Sequence, residues 1–292
     1  MAKARAIAKR RKAVQNIRKI TRTMQLIATA RFQAAFKRAT ATKPYTEGIA
    51  RLAGQLAAGQ AGLDHPLMRV NTQSGRCRVM VLTSNRGLCG GYNGAVLRTA
   101  MAAIRSAEAA GRAVEVYAAG RKGIAYFRFL NRPLAWSSTA FEDRPRFAEV
   151  EALATEMMDA YRRGEIDAAL VVYMRFVSAG LQEPTVLQLL PLERPAAADG
   201  GQGPAAGVQY DFSPPAEDLL AELLPQTVKV RLFQCFTDAA VSEQTARMVA
   251  MKAATDAASD MIRSLSQQYN RARQTQITLE LLDIVGGAEG LK

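Results

Sequence analysis

Histidine and cysteine are scarce in this sequence. His65 is the only histidine, and the three cysteines, Cys77, Cys89 and Cys235, are far apart in a chain of 292 residues. Histidine-based metal sites and Ser-His-Asp catalysis each need several well-placed partners, so the composition argues against both. An odd number of separated cysteines favours a reducing compartment over a disulfide framework.

Long apolar runs are also missing. No stretch of the sequence reaches the run of about 18 apolar residues that a membrane span requires. The N-terminus is basic, but the apolar segment of a secretory signal does not follow it. An acid-free amphipathic start is also typical of a mitochondrial transit peptide, but here the pattern continues smoothly into a long helix, which disfavours that interpretation.

Acidic residues are absent from the first 46 positions. The basic residues that precede Glu47 equal in number the net charge of the whole chain, which is +13. They are Lys3, Arg5, Lys9, Arg10, Arg11, Lys12, Arg18, Lys19, Arg22, Arg31, Lys37, Arg38 and Lys43. Such a charge indicates a polyanionic partner, which is a nucleic acid, an anionic membrane or an acidic protein surface. The composition leaves open whether this basic face is simply solvated or contacts that partner.

Proline is absent after residue 240, and glycine is absent from there until Gly286. Small or apolar side chains recur in this stretch with the spacing of a coiled-coil seam. The predicted seam is Met248, Met251, Thr255, Ala258, Ile262, Leu265, Tyr269, Ala272, Gln276 and Leu279. A helix of about 45 residues would be roughly 65 Å long, which exceeds any ordinary globular core. It therefore needs a partner helix along most of its length.

The N-terminal residues supply that partner helix. Their apolar side chains recur at helical spacing. These side chains are Ile7, Val14, Ile17, Ile20, Met24, Ile27, Ala28 and Ala35. Pro44 is expected to bend or break this helix, and Pro225 to kink or interrupt the C-terminal one.

The middle of the chain alternates between predicted strands and helices. Strands are predicted at residues 78–83, 114–118, 168–177 and 185–190, and helices at 92–110, 121–130 and 147–163. This alternation is typical of an α/β domain with a mostly parallel sheet. The predicted organisation is an N-terminal coiled-coil helix over 1–57, an α/β domain over 76–213 and a C-terminal coiled-coil helix over 214–292. Within the α/β domain, residues 192–207 are predicted to be a flexible loop and 208–213 a further strand.

The stretch Ser84 to Asn93 is a glycine-rich loop between a predicted strand and a predicted helix. A loop in that position can hold a phosphate. It lacks both the Gly-Lys-Ser/Thr of a P-loop and the G-x-G-x-x-G of a dinucleotide site. We therefore favour glycines that permit a tight turn and close packing of helix on sheet.

The residues leave two other functions open beside the interpretation below. One is a coiled-coil protein that binds DNA or RNA through its basic helix, although no recognisable DNA-binding motif accompanies the charge. The other is a nucleotide-using enzyme built on the α/β domain, although that domain shows no phosphate motif and no acid–base pair.

Four segments carry a family resemblance. Residues 243–256 (EQTARMVAMKAATD) and 277–288 (ITLELLDIVGGA) resemble the C-terminal signature of the gamma subunit of F-type ATP synthases. Residues 19–28 (KITRTMQLIA) are similar to the opening helix of that family, and residues 86–91 (RGLCGG) to its central loop. The segments occur in the family's order and cover both ends and the middle of the chain.

The resemblance implies both a fold and a function. The fold is a long antiparallel coiled coil of the N- and C-terminal helices with an inserted Rossmann-like α/β domain. The function is that of a rotor that couples transmembrane ion flow to ATP synthesis or hydrolysis. The implied partners are a hexameric ring of alpha and beta subunits, the epsilon subunit and a ring of c subunits, with no nucleic acid. The family's catalytic sites lie in the ring, so no active site, cofactor or metal is expected in this chain.

The resemblance also implies contact residues and a location. Met24 falls near an acidic lever of the beta subunits, and Arg247, Gln274, Thr278 and Glu280 fall where relatives bond to loops of the ring. The implied location is the cytoplasmic face of the inner membrane, with indirect membrane association.

Two further points concern the basic face and a departure from the family pattern. The basic face, which includes Lys9, Arg10, Arg11 and Lys12, would meet the acidic lever. Asn85 departs from the family pattern, which commonly has Asp there.

Overall fold

The structure is a computed structural model that describes residues 2–59, 65–141, 144–192 and 216–289. Its elements in chain order are α1 (Ala2–Gly59), β1 (Arg76–Leu82), α2 (Tyr92–Ala109), β2 (Ala113–Ala119), α3 (Arg121–Phe129), β3 (Trp136–Ser138), α4 (Phe147–Arg162), β4 (Ala168–Phe176), β5 (Gln182–Leu190) and α5 (Ala216–Glu289). The chain divides into two compact units. The coil unit combines Met1–Thr29 with Arg247–Lys292, and the α/β unit is Ala30–Ala246.

The α/β unit contains a five-stranded sheet in the order β3-β2-β1-β4-β5. Strands β1 to β4 pair in parallel, and β5 pairs with β4 in antiparallel fashion. The predicted mostly parallel sheet is therefore confirmed. The short edge strand β3 was not predicted, because three residues after Pro133 carry too little periodic signal to identify a strand.

The two faces of the sheet bury separate apolar clusters. Alternate residues of β1 point to opposite faces, with Cys77 and Val79 on one side and Met80 and Leu82 on the other. Helices α2 and α3 cover the first face, and α4 together with the early part of α5 covers the second. Both faces are buried, which explains the nearly continuous apolar sequence of β1 and β4.

The prolines of the long helices do not end them. Helix α1 continues through Pro44 and α5 through Pro225, so the predicted interruption is wrong. On α5, residues at four-residue spacing on both sides of the proline are buried in one cluster, and they are Leu220, Leu224, Val228 and Leu232. A proline inside a helix costs about 3 kcal/mol. Burial of each such side chain gains about 1.5–3 kcal/mol, so packing outweighs the penalty.

The coil unit consists of two antiparallel helices. Thr21 contacts Thr255, and Val14, which lies earlier on α1, packs with Ala258 and Leu265, which lie later on α5. The two helices therefore run in opposite directions. Met251, Thr255, Ala258 and Leu265 are buried, which confirms the centre of the predicted seam. Leu279 is 55% exposed, so the prediction that this end of the stretch packs in the seam is wrong.

The seam of α1 differs from the apolar pattern of its sequence. Val14 and Ala28 are buried, and the hydroxyl residue Thr21 lies between them. Ile17 and Ile20 are 52% and 60% exposed, so they belong to another face of the helix. Helical periodicity was correct here, but it did not identify which of two neighbouring stripes packs against α5.

Several predictions lie outside the described residues. These are the strand at 208–213 and nearly all of the flexible loop at 192–207. The predicted domain boundaries at residues 57, 76 and 214 stay predictions.

Candidate interaction surface

The basic residues near the N-terminus lie on the coil unit. The side chains of Lys9, Arg10 and Lys12 are exposed. Arg11 is half-buried, and its guanidinium lies 5.1 Å from the centre of the Tyr269 ring on α5. The predicted basic face is therefore divided. Three cations point to solvent, and the fourth holds the two helices together through a cation–π contact.

The predicted contact residues differ in exposure. Gln274, Thr278 and Glu280 are exposed, and Met24 is half-buried. Arg247 is only 7% exposed and has a further interaction within the protein. Thr278 Oγ1 donates a hydrogen bond to the Gln274 carbonyl at 3.0 Å, so these two residues share one helix face. Glu280 accepts a hydrogen bond of 2.8 Å from Gln276 Nε2. Their contact with a partner stays a prediction.

An apolar stripe on α1 was missed as a surface feature. Ile17, Ile20 and Ile27 are each about half exposed or more, and Met24 lies between them on the same helix face. Near its end, α5 exposes a second group, which consists of Ile277, Leu279, Leu281, Leu282, Ile284 and Val285. Large exposed apolar groups of this kind mark interaction surfaces. For the α1 residues and for Leu279 the sequence signal was present, but it was assigned to the packing between the two helices.

The glycine-rich loop is filled by its own side chains. The Ser84 N–H donates to Asn93 Oδ1 at 3.0 Å, Asn93 Nδ2 donates to Ser84 Oγ at 2.7 Å, and Ser84 Oγ donates to the Arg86 carbonyl at 2.6 Å. Gly90 has a φ of +57°, as the tight-turn interpretation requires. Close packing is found at a different glycine, Gly120, where a Cβ would lie 2.0 Å from the Thr83 carbonyl oxygen.

Helix α5 occupies the region where open α/β sheets hold ligands. Such ligands bind beyond the carboxyl ends of the strands, where the strand order reverses, which here is between β1 and β4. Tyr92 Oη, at the start of α2, donates to the Ala239 carbonyl at 3.2 Å. Ser242 Oγ donates to the Met174 carbonyl, near the end of β4, at 3.1 Å. The crevice that would hold a nucleotide is therefore closed by the protein itself.

The main charged network of the sheet is structural. Arg78 is buried, and its guanidinium donates to Glu115 at 2.9 Å and to Glu156 at 2.8 Å. The same group lies 4.5 Å from the centre of the Tyr117 ring. Burial raises the pKa of Tyr117 to about 12, so this phenol stays protonated at neutral pH. Both carboxylates are paired with the arginine, which accounts for their positions.

Two negative findings concern the residues that the structure describes. Within residues 2–59, 65–141, 144–192 and 216–289, no helix combines the length and apolar character needed to cross a membrane. In the same ranges, His, Cys, Asp and Glu do not gather in groups of three or more that could hold a metal ion.

The fold and the surface define a class of protein, in which an antiparallel coiled coil of the two terminal helices accompanies an α/β unit. A sequence model of the ATP synthase family matches residues 3–291. The ATP synthase gamma chain of Rhodopirellula baltica is 47% identical to this chain over the full length of both. The gamma chain of a Nocardioides species is 41% identical and covers 96% of this chain and 93% of its own length. The chain belongs to the ATP synthase gamma chain family.

Solved structures share the fold. A chain in the Euglena gracilis mitochondrial ATP synthase, in a cryo-EM structure of OSCP, F1 and the c-ring, matches with a TM-score of 0.66. The match covers 99% of this chain and 95% of that one at 17% identity. A central-stalk and c-ring structure from Tetrahymena thermophila gives a TM-score of 0.56 and covers 80% of this chain and 99% of that one.

Proposed function

We propose that this chain is the central rotor subunit of an F-type ATP synthase and couples transmembrane ion flow to ATP synthesis or hydrolysis. The observation that carries the proposal is the family match over residues 3–291. The antiparallel coil unit supports it, because two helices packed along a continuous seam resist twisting and bending better than a single helix. Torque transmission requires that stiffness.

The chain has no catalytic role in this proposal. The closed crevice beside β1 and β4 supports that view, because Tyr92 and Ser242 tie α5 across the position that a nucleotide would take. The glycine-rich loop binds its own Ser84 and Asn93 side chains in place of a phosphate. ATP chemistry then belongs to the alpha and beta subunits.

The proposed partners are the alpha and beta ring, the epsilon subunit and the c-ring. The Euglena structure contains F1 and the c-ring, and its matching chain has the same fold. The chain would lie at the cytoplasmic face of the plasma membrane and reach that membrane through the c-ring.

The coil unit provides the proposed ring contacts. Met24, Gln274, Thr278 and Glu280 have exposed or half-exposed side chains that a surrounding subunit can reach, whereas Arg247 would contribute through its small exposed part. The exposed apolar stripe of α1 and the exposed cations Lys9, Arg10 and Lys12 would face the ring. Many shallow contacts suit a part that must turn, because deep pockets at an interface concentrate binding energy at fixed positions.

The test is co-expression with the alpha and beta subunits of the same organism, followed by native mass spectrometry and ATPase assays. We expect one copy of this chain per three alpha and three beta subunits, with ATPase activity that depends on its presence. Leu265→Asp places a carboxylate in the buried seam and should abolish assembly. Ser264→Asp adds the same charge at the neighbouring exposed position and should not.

Two results would overturn the proposal. One is failure of the wild-type chain to join the ring. The other is binding to DNA or RNA that is tighter than binding to the ring and weakens steeply with salt, which would favour the nucleic-acid alternative.

A further inference from the structure

A basic cavity lies in the α/β unit. Its volume is about 730 Å³, which falls in the usual range of small-molecule sites. The residues that line it are Arg31, Ala34, Arg38, Ala140, Arg144, Pro145, Arg146 and Glu149. They come from two separate parts of the chain, which are helix α1 and the segment that leads into α4. Among the lining residues that the structure describes, four carry a positive charge and one carries a negative charge.

The arginines are arranged at two depths. Arg31 and Arg38 are half-buried on α1, two turns apart on one helix face, and each has a further interaction within the protein. Arg144 and Arg146 are exposed on the opposite wall. Glu149, the one carboxylate among the described lining residues, approaches Arg146 only to 4.0 Å, and both side chains are substantially exposed. Such a pair neutralises little of the positive potential.

Two further features favour an anion. The cavity reaches the first turn of α4, a helix of 16 residues, and among the described residues no side chain caps that terminus. The start of a helix carries partial positive charge and free N–H groups. The part of the wall at Ala140 is also held in place, because Asn85 Nδ2 donates to the carbonyls of Thr139 and Phe141 at 2.9 and 3.2 Å, on either side of Ala140.

We propose that this cavity binds a compact multivalent phosphate, such as pyrophosphate or the triphosphate group of a larger ligand. Guanidinium groups stay charged and bind phosphate oxygens with paired N–H donors. The remaining lining residues within the described part of the chain are two alanines and a proline, which offer no aromatic ring on which a nucleobase could stack. Recognition is therefore of the phosphates. A bound phosphate would bridge α1 to the segment before α4, and the proposal does not depend on the rotor function.

The test is calorimetric titration of the full-length chain with inorganic pyrophosphate at low ionic strength. We expect saturable binding of one pyrophosphate per chain. Arg144→Gln with Arg146→Gln should weaken it by roughly tenfold or more, because two charge-assisted contacts are lost. Arg31→Gln with Arg38→Gln should do the same.

Arg98→Gln with Arg105→Gln is the matched control. It removes two exposed cations from α2 and should leave the affinity within about a factor of two, since only screened long-range charge changes. If the variant with Arg31→Gln and Arg38→Gln fails to fold, circular dichroism would reveal it. The pyrophosphate affinity of the variant with Arg144→Gln and Arg146→Gln, which changes only exposed residues, then tests the proposal.

Several results would overturn the proposal. These are no saturable binding, equal weakening in the control pair, or binding of an acidic peptide but not of pyrophosphate, which would assign the cavity to a protein partner. Glu142 and Asp143 adjoin Arg144 in the sequence and lie outside the described residues. Pyrophosphate binding that appears only after Glu142→Gln and Asp143→Asn would mean that the chain's own acids neutralise the cavity, and it would also reject the proposal.

Discussion

Thr255 on α5 and Thr21 on α1 place their Oγ1 atoms 2.8 Å apart in the buried seam of the coil unit. Each hydroxyl also lies within hydrogen-bond distance of a carbonyl of its own helix, at Met251 and Arg18. The three contacts share two hydroxyl protons. Each hydroxyl can therefore still donate to the carbonyl of its own helix when the other hydroxyl is removed. A polar pair in an otherwise apolar seam fixes the register of the two helices, because slippage would bury it against apolar neighbours.

Replacement of this pair should be non-additive. Thr255→Val alone should destabilise the coil by about 1 kcal/mol, and Thr21→Val by a similar amount. The double variant should cost less than the sum, since either single substitution already removes the hydrogen bond between the two hydroxyls and that bond can be lost only once. Native-state hydrogen exchange of residues 10–29 and 247–266 measures these costs. Strictly additive costs would show that the two hydroxyls do not interact.

The exposed cations of α1 should act on assembly and not on folding. Replacement of Lys9, Arg10 and Lys12 by Gln should weaken binding to alpha and beta subunits by about three- to tenfold at low salt, and much less at high salt, where ions already screen the charges. Arg98, Arg105 and Arg128 are exposed cations of the α/β unit, and their replacement is the control of equal charge. Equal losses in both triple variants would contradict a specific basic contact.

Arg11 should behave differently from its three neighbours. Its guanidinium packs over the Tyr269 ring, so Arg11→Gln should loosen the coil itself by about 0.5–1 kcal/mol. Because this contact is short-ranged, the loss should depend only weakly on salt. Hydrogen exchange at residues 2–15 measures it, and unchanged protection there would contradict the cation–π contact.

Gly120 should tolerate no side chain. It has a φ of +98°, and a Cβ would lie 2.0 Å from the Thr83 carbonyl oxygen, between β1 and β2. Gly120→Ala should therefore cost about 3 kcal/mol or more. Gly75 also has a positive φ, of +62°, but has open space around it, so Gly75→Ala should cost only about 1 kcal/mol. Urea unfolding followed by the fluorescence of Trp136, the single tryptophan, distinguishes the two, and equal costs would contradict the steric argument.

The sequence predicted α5 better than α1 for a physical reason. In α5, the buried positions Met251, Ala258 and Leu265 are the main seam residues at the proper spacing, so periodicity sufficed. In α1, large apolar side chains such as Ile17 and Ile20 form an exposed stripe beside a seam of small residues. Periodicity detects both stripes equally, and only the packed structure shows which one meets α5.

The prolines and the cavity illustrate two other limits of sequence reasoning. Local propensity predicted a break at Pro225, but burial of Leu224 and Val228 on either side outweighed it. The cavity joins Arg31 to Arg144 across more than a hundred positions, so no local pattern could predict it. The ring contacts assigned by family resemblance remain predictions.

Asn85 uses both ends of its side-chain amide. Its Nδ2 donates to the Thr139 and Phe141 carbonyls, and its Oδ1 accepts the Arg121 N–H at 3.0 Å. Asn85→Asp keeps the acceptor but loses both donors, and it places a carboxylate against two carbonyls. We expect a loss of about 1–3 kcal/mol in urea unfolding and faster hydrogen exchange at residues 139–141. Unchanged stability and exchange would show that the donated bonds contribute little.

The three cysteines should resist modification in the folded protein. Cys77, Cys89 and Cys235 are all free thiols and at most 2% exposed. Burial raises the pKa of Cys77, although nearby Arg112 partly opposes this, and burial raises the pKa of Cys235 strongly. Since the thiolate is the reactive form, a thiol reagent such as DTNB should label none of them in the native state and all three in denaturant.

The same shifts set a pH dependence and argue against a thiol switch. A thiol that ionises at higher pH when folded than when unfolded holds its proton more tightly in the folded state. Stability is therefore fully present below the pH at which unfolded thiols ionise, and it falls as the pH rises through that range toward the raised pKa of Cys77. Cys77→Ala should reduce this alkaline loss, whereas the ATPase activity of the assembled complex should be the same with and without reductant. Rapid native labelling, or a clear response to reductant, would contradict the burial of these thiols.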